Sequence, residues 1–403
     1  MIALAPLAVV VVWLVAAEVV ARVPDPGSAR RVATWCAAAA VGLSLLSIAL
    51  PTERVADVVG LAVSPGAGAQ ACTAISLAGL LIAAMSPLAT HIPAVLARAL
   101  RLVAVSCALL AVRHNGFDAA LIAVSTWLTW SGLRGRSDGL DRLFALYQVP
   151  AVVLFLVGAV MPGLAGEIAL LLGAAIRLAI IPAHAWFPRF VDRAPIGIVV
   201  AYLSTPVILL SPTGNTSAVI GVLSVAIAAI FAVVQTDAHR ALAYLVIAAN
   251  GLALAGAAWP TALVATAGLA MTTGVLAARR GTLSYTTPSG DLSNTPRLAV
   301  AYVLFALALA GFPLLPGFAD DHALLAEIAL PLALIAVLAM AVNGMTALRG
   351  FLGLFTRLRT PTGERDLTRL ENCAVAITLA TLVICGVVPG ITSSAAQPVS
   401  THR

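Results

Sequence analysis

The stretch "RLAIIPAHAWFPRFVDRAP", residues 177 to 195, decides how this chain folds. It starts as apolar helix, then places Pro182 and Pro188 on either side of His184 and Trp186, with Arg177 upstream and Pro195 at the end. Proline lacks an N–H and crowds the carbonyl four residues back, so a helix does not run through such a segment intact. In lipid the freed backbone groups are tolerated only when buried in protein or facing a wet cavity. The stretch therefore reads as an interruption within a membrane helix, loaded with ionisable groups.

The rest of the chain fits that setting. Of its 403 residues, 61% are hydrophobic and 10% are charged, against about a quarter charged in a soluble domain. Apolar runs near the roughly 20 residues needed to cross a bilayer recur about fourteen times between residues 2 and 390. The expected fold is an all-α polytopic membrane protein with about 14 transmembrane helices. The first run has no basic start and no small-residue cleavage site before Pro24, so it reads as a permanent helix rather than a signal peptide. The longest polar stretches, 279–297 and 356–371, are too short to form a soluble domain. Any redox centre, nucleotide site or extramembrane catalytic domain would thus belong to a partner, and the chain is not expected to catalyse alone.

The five cysteines lie in or beside apolar runs without a CxxC pair, which fits small buried hydrophobes and leaves no cofactor or metal expected. No nucleic-acid partner is expected; membrane lipid is. All 23 basic residues are arginine, in a chain of net charge +6; coding bias is one explanation in so alanine-rich a sequence. Arg22, Arg30 and Arg31, then Arg98 and Arg101, then Arg134, Arg136 and Arg142, flank alternate ends of the early spans. By the positive-inside rule these sites are cytoplasmic and the N-terminus is outside. The loop with Arg357, Arg359, Arg365 and Arg369 reads as cytoplasmic too. A bacterial-type inner membrane is the expected location.

A second interruption lies in "AGFPLLPGFADDH", residues 310 to 322, with Pro313, Pro316 and Gly317. Paired interruptions in two halves are the sequence sign of inverted repeats with an ion path at the bilayer midplane. The expected division is N-terminal helices over 1–92, a first five-helix repeat over 93–235, a second over 236–355, and a C-terminal loop and helix over 356–403. Ionisable groups within spans cost about 2.5–3.5 kcal/mol on insertion scales and mark ion paths. Three clusters qualify: Arg177, His184, Arg189, Asp192 and Arg193; Asp237, His239 and Arg240 in "QTDAHRALAY"; and Asp320, Asp321, His322 and Glu327.

Glu167 is either a counter-charge to the first cluster or a surface group. Asp237 and Arg240 have the spacing of a helical ion pair. His184 is either a proton-exchanging group or a hydrogen-bonding support for the break, Trp186 either packing or interfacial, and the Asp320–Asp321 pair either functional or part of a solvated loop.

These residues, in this order, resemble the antiporter-like membrane subunits of respiratory complex I, Mrp-type sodium/proton antiporters, group 4 membrane-bound hydrogenases and bicarbonate-accumulating complexes. The resemblance covers roughly residues 115 to 355. That family has a lysine, a proline five residues on, then x-His-x-Trp-x-Pro and, after a short gap, Ala-Pro; here these places hold Arg177, Pro182, His184, Trp186, Pro188, Ala194 and Pro195. Its Gln-Thr-Asp-x-Lys-Arg segment puts His239 in a lysine place, and its Ala-Gly-x-Pro segment does the same for Asp321. Arg349 falls where the family often carries an arginine.

Other family features are missing. The glutamate expected in the helix starting near Asp118 is replaced by Thr126 or Trp127, and no histidine stands around Leu203. Arginine, unlike lysine, does not lose its proton in a protein, so Arg177 can set a field but cannot pass a proton. Histidine, with an unperturbed pKa of about 6.5, can.

The resemblance implies a subunit of a multi-subunit energy-converting complex, with membrane and peripheral partners, that conducts protons first and sodium second. Its path or gating residues would be Arg177, His184, Asp237, His239, Arg240, Asp321 and Glu327, around breaks at Pro182, Trp186, Pro188, Pro195, Pro313 and Pro316. The competing expectation is a non-conducting scaffold that keeps the fold and the docking surfaces.

Overall fold

Apolar runs become helices here because the bilayer interior offers no water to backbone N–H and C=O groups, which must bond within the segment. The computed structural model describes residues 5–49, 56–58, 61–63, 66–111, 115–135, 138–286, 292–356 and 364–387. Arg136, Arg357 and Arg359, used above for orientation, lie outside them. Among the described residues there are sixteen α-helices, and nine helices are long and apolar enough to cross a membrane. The segments Ile196–Leu210 and Pro296–Leu309 are apolar but shorter. A small antiparallel ribbon joins β1 (Ala56–Val58) to β2 (Leu61–Val63). The protein is an all-α, multi-pass membrane protein.

The first four helices, α1 (Ala5–Arg22), α2 (Pro26–Ala49), α3 (Gly66–Met85) and α4 (Pro93–Ala111), pack against one another. Of these α3 is the most enclosed, lying also against α9 (Ile196–Leu203), α12 (Trp259–Arg280) and α16 (Arg369–Val387). Next come α5 (Asn115–Leu133), α6 (Leu140–Val160) and α7 (Leu164–Arg177), followed by the first break, the short α8 (Phe187–Arg193) and α9. Helices α10 (Asn215–Val234) and α11 (Ala238–Ala255) pack most extensively of any pair. Glycine makes their approach possible: a Cβ on Gly221 would sit 2.5 Å from the Gly251 carbonyl oxygen, and one on Gly251 would sit 2.8 Å from that of Gly221. Such small-residue contacts let membrane helices touch along their backbones.

The second break separates α13 (Pro296–Leu309) from α14 (Pro316–Glu327), and α15 (Leu330–Phe351) follows. Proline opens α2, α4, α13 and α14, at the position where its missing N–H costs nothing.

One end of the bundle is held by charge. Glu371 at the start of α16 accepts from Arg30 of α2 at 3.2 Å and from Arg279 of α12 at 3.3 Å. It also accepts the Thr368 N–H at 2.8 Å, in a capping arrangement. Arg280 pairs with Glu364 at 2.8 Å, and Asp366 takes the first free N–H groups of α13, those of Arg297 and Leu298, at 3.1 Å each. The start of α2, the end of α12, the start of α13 and the segment leading into α16 therefore meet at one face.

Candidate functional site

The first break begins where Arg177 ends α7. A proline at 182 cannot bond the Leu178 carbonyl, and Ala179 adopts a left-handed φ of 56° to turn the chain aside. Side chains from neighbouring helices supply the lost donors. Asn250 of α11 donates to the Leu178 carbonyl at 2.8 Å, and the Tyr202 hydroxyl lies 2.9 Å from both the Arg177 carbonyl and Gln148 Oε1. Ser224 of α10 accepts the Ile181 N–H at 3.1 Å. The break is thus backed by hydrogen bonds from α6, α9, α10 and α11.

Arg177 itself is 2% exposed. Its guanidinium donates to Thr126 Oγ1 and Ser125 Oγ, each at 2.6 Å, and more weakly to Thr205 Oγ1 at 3.4 Å. Ser125 spends its own proton on the Ile122 carbonyl, at 3.0 Å, which leaves its lone pairs for the arginine. The guanidinium carbon sits 4.3 Å from the centre of the Tyr202 ring, a cation–π contact that partly replaces hydration. Of the two residues expected in place of the family's glutamate, Thr126 faces Arg177, while Trp127 is exposed. Glu167 is exposed in the first turn of α7, about 15 Å along the helix from Arg177, so it is not the counter-charge of that guanidinium. The site holds a fixed positive charge in a cage of hydroxyls.

His184 and Arg177 are parted by the break. The imidazole stacks on Phe231 and lies against Tyr244, with centroids 6.1 Å apart in both cases; its Nδ1 is buried without a hydrogen-bond partner among the described residues. Trp186 packs fully buried among Phe144, Phe187, Phe190 and Tyr202, with centroids 5.3–5.7 Å apart, so its role is packing rather than interfacial. Pro188 lies in the first turn of α8, and Pro195 precedes α9.

Asp237 caps α11, its carboxylate accepting the Arg240 backbone N–H at 3.0 Å. The side-chain ion pair expected from the spacing does not form, because the cap uses the carboxylate and Arg240 is exposed. Instead Asp237 lies beside His239 and Asp192, their ligand atoms all within 4.8 Å of one another. This group of two carboxylates and an imidazole lies at the edge of the protein, with Asp192 exposed and Asp237 and His239 partly so.

At the second break Pro313 removes the N–H that would bond the Leu309 carbonyl, and the chain turns through Gly311 and Leu314, with φ of 70° and 73°. Asp321 is 8% exposed, and Asp320 accepts from Thr261 Oγ1 of α12 at 2.7 Å. Both aspartates lie in helix α14 rather than in a loop, Asp321 buried and Asp320 partly exposed. A cavity of about 20 Å³ lies between Asp320, Asp321, Thr261, Gly317 and Leu309. A separate cavity of about 10 Å³ shares Ala249, Leu252 and Leu309 with it and reaches Asn343, whose Oδ1 is buried without a partner among the described residues. Glu327 ends α14 exposed. Arg349 donates to the Val233 carbonyl and lies over the Tyr285 ring at 5.5 Å.

Sequence reasoning missed Ser125, Thr205, Tyr202, Asn250 and His91. The histidine lies in the loop between α3 and α4, and its Nε2 accepts the Gly197 N–H at the start of α9, at 3.0 Å. The contact requires glycine, since a Cβ there would sit 2.7 Å from that nitrogen. Burial pushes the His91 imidazole down to about 4, partly opposed by its bond to the Pro87 carbonyl. The folded value lies below the unfolded value of about 6.5, so the unfolded chain takes up the proton first. Stability is therefore complete above pH ~6.5 and declines as the pH falls towards 4, by about 3 kcal/mol in total. Thermal unfolding at pH 7.5 and 4.5 will show this slope in wild type, and His91→Gln will flatten it.

The chain is a multi-pass bundle interrupted twice, with Arg177 buried beside the first interruption and Asp321 beside the second. Its fold is that of the antiporter-like membrane subunits. Over 98% of this chain and all of the other, it superposes on a chain of respiratory complex I from Thermus thermophilus with a TM-score of 0.78 and 21% identity. A chain of the archaeal membrane-bound sulfane sulfur reductase matches 97% of this chain, with 96% of its own length covered, at a TM-score of 0.78 and 15% identity. A chain of the Mrp complex from Dietzia matches 98%, with 97% of its own length covered, at 0.77 and 17%.

In sequence, 260 residues are 29% identical to NADH-quinone oxidoreductase subunit N of Geotalea uraniireducens, covering 56% of this chain and 55% of that one. The same subunit of Thermobifida fusca is 28% identical over 275 residues, covering 56% and 49%. The chain spans about half the length of these curated relatives, and no protein-family model matches it.

Proposed function

We propose that this chain is an integral subunit of a multi-subunit energy-converting complex of the inner membrane, with its N-terminus outside, conducting protons along a path coupled to a partner's redox or hydration chemistry. The observation that carries this reading is the pair of interruptions inside the bundle, each with ionisable groups beside it, an arrangement that membrane proteins retain at ion sites. In it, Arg177 tunes the field at the first break, where its caged guanidinium cannot release a proton. His239, with Asp237 and Asp192, exchanges protons at the surface; His184 passes them inward; Asp321 and the cavities towards Asn343 extend the route into the second half. The prolines and Trp186 hold the breaks open to it, Arg240 and Glu327 tune its ends, and membrane and peripheral subunits supply the coupled reaction.

The alternative, a non-conducting scaffold, draws on one specific feature: Arg177 faces only hydroxyls where a relay would have a carboxylate. Proton flux through proteoliposomes holding the intact complex separates the two. His184→Ala and His239→Ala are each expected to lower coupled flux by about 10²-fold, the lower end of the usual 10²–10⁴-fold contribution of a positioned proton-transfer group. Wild-type flux in both variants, with assembly intact, would rule out conduction through these residues.

A further inference from the structure

Near the end of α15 lies an open cavity that neither break uses. It measures about 280 Å³ and is lined by Tyr285, Met345, Leu348, Arg349, Leu352 and Gly353, against the roughly 30 Å³ that one water takes in the liquid. Arg349 is the one charged residue of the six. Its Nη1 donates to the Val233 carbonyl in the last turn of α10, and its guanidinium carbon lies 5.5 Å from the centre of the Tyr285 ring. Nε and Nη2, the other edge of the fork, have no hydrogen-bond partner among the described residues. No carboxylate pairs with the guanidinium there either. Asp237, within electrostatic reach of Tyr285, is committed to the cap of α11 and lies with Asp192 and His239. The Tyr285 hydroxyl bonds to Tyr302, so the cavity offers a cation with a free fork and lacks an anion with acceptor oxygens.

The position of the cavity narrows the source of that anion. Arg349 lies in the last turns of the membrane-crossing segment Leu330–Thr356. The end is the one held by the Glu371 joint, since Arg280, which pairs with Glu364, also donates to the Leu354 carbonyl just past α15. Basic pockets between helices at a membrane surface receive lipid headgroups. Below the cavity α15 continues as an exposed apolar stripe: Leu338, Met345, Leu348 and Leu352 are 47–69% exposed, with Ala341 exposed among them. Their alternating steps of three and four keep them on one face. From Leu352 to Ala341 the helix covers about 16 Å, about half of the ~30 Å hydrocarbon core and so the depth of one leaflet. A free phosphate would leave this stripe unused, whereas a phospholipid covers it.

We infer that the cavity binds the phosphate of an anionic glycerophospholipid, with Arg349 as its bidentate donor and the α15 stripe as the seat of an acyl chain. The planar fork of arginine matches phosphate oxygens two at a time. A zwitterionic choline headgroup would set a second cation beside the guanidinium. The site is independent of whether the chain conducts ions.

The test is native mass spectrometry of the full chain, stripped of lipid in a mild non-ionic detergent and titrated with dioleoylphosphatidylglycerol, dioleoylphosphatidylcholine or inorganic phosphate. Wild type should take up one phosphatidylglycerol saturably, and inorganic phosphate in excess should not displace it. Phosphatidylcholine should bind about fivefold more weakly, the worth of one charge near a membrane surface. Arg349→Gln should weaken the phosphatidylglycerol complex by about 10- to 100-fold, the usual weight of hydrogen bonds to a charged group, and Arg349→Lys by less. Leu352→Glu, which sets a carboxylate at the exposed rim and leaves the arginine in place, should weaken it too. Arg142→Gln, at an exposed arginine of α6, should bind like wild type. Equal binding in wild type, Arg349→Gln and Leu352→Glu, all eluting as folded monodisperse protein, would overturn the site. Displacement by inorganic phosphate would assign the cavity to a free anion, and absence of saturable phosphatidylglycerol uptake would assign it to a partner subunit; either result overturns the lipid.

Discussion

Replacing Arg177 with methionine will make the protein more stable and, if the proposed conduction holds, will reduce ion flux through the complex. The guanidinium is buried at 2% exposure with no carboxylate among its hydrogen-bond partners; it has two short bonds to hydroxyls, one long bond, one aromatic face, and an Nε without a partner. Withdrawing a charge from water costs several kcal/mol, and neutral hydroxyls return only part of it. Methionine matches the aliphatic length and adapts to irregular space. Apolar replacement of buried ionic groups is commonly neutral to 1–4 kcal/mol stabilising, so a gain of about 1–2 kcal/mol in unfolding free energy is expected. Ser125 keeps its bond to Ile122, so few groups are stranded.

Proton flux in the reconstituted complex should nevertheless drop by at least about tenfold, since a unit charge at about 4 Å contributes about 4 kcal/mol at an effective dielectric of 20. Arg177→Lys restores the charge without the fork and should recover part of the flux. A methionine variant that unfolds earlier than wild type, or conducts equally well, would show that the cage is structural.

Trp186→Ala carries the largest expected loss of stability. The indole is fully buried, and four aromatic rings pack on it at centroid distances of 5.3–5.7 Å, three of them close to edge-on. Truncation leaves a cavity inside that cluster and costs about 3–5 kcal/mol. The same cluster positions Tyr202, whose ring and hydroxyl hold both ends of Arg177, so the damage should extend to the first break. Trp186→Phe keeps most of the ring contacts and removes an indole N–H that has no partner; its cost should be under about 1.5 kcal/mol, as for volume-conserving exchanges. Thermal unfolding of both variants in one detergent checks the ordering.

Much of this was legible in the sequence for a physical reason. Prolines at 182, 188, 313 and 316 dictate where hydrogen bonding fails, and lipid makes such failures visible as sites rather than as loops. The order of Arg177, His184, Trp186 and Asp237 carried the resemblance to the antiporter-like fold. What the sequence hid was partnership across the bundle. Ser125 and Asn250 are ordinary polar residues in apolar runs that only the packing of α5 and α11 aims at the break, Thr205 reaches Arg177 from just beyond α9, and His91 reaches the start of α9 from the loop between α3 and α4. Asn250 was the most discoverable of them, an amide midway along an otherwise apolar helix. Spacing also misled at Asp237, where an ion pair with Arg240 fits the helical geometry, but the backbone cap claims the carboxylate.

The arrangement around Glu371 has a mechanical meaning. One carboxylate joins α2, α12 and α16, so shear between any two of them must part it from an arginine, and the neighbouring Arg280–Glu364 pair and Asp366 cap reinforce the joint. Across the cavity, α14 is tethered to α12 by the single Thr261–Asp320 hydrogen bond. The bundle therefore resembles a bound book, stitched along a spine near residues 364–371 and free to part its pages at 310–320.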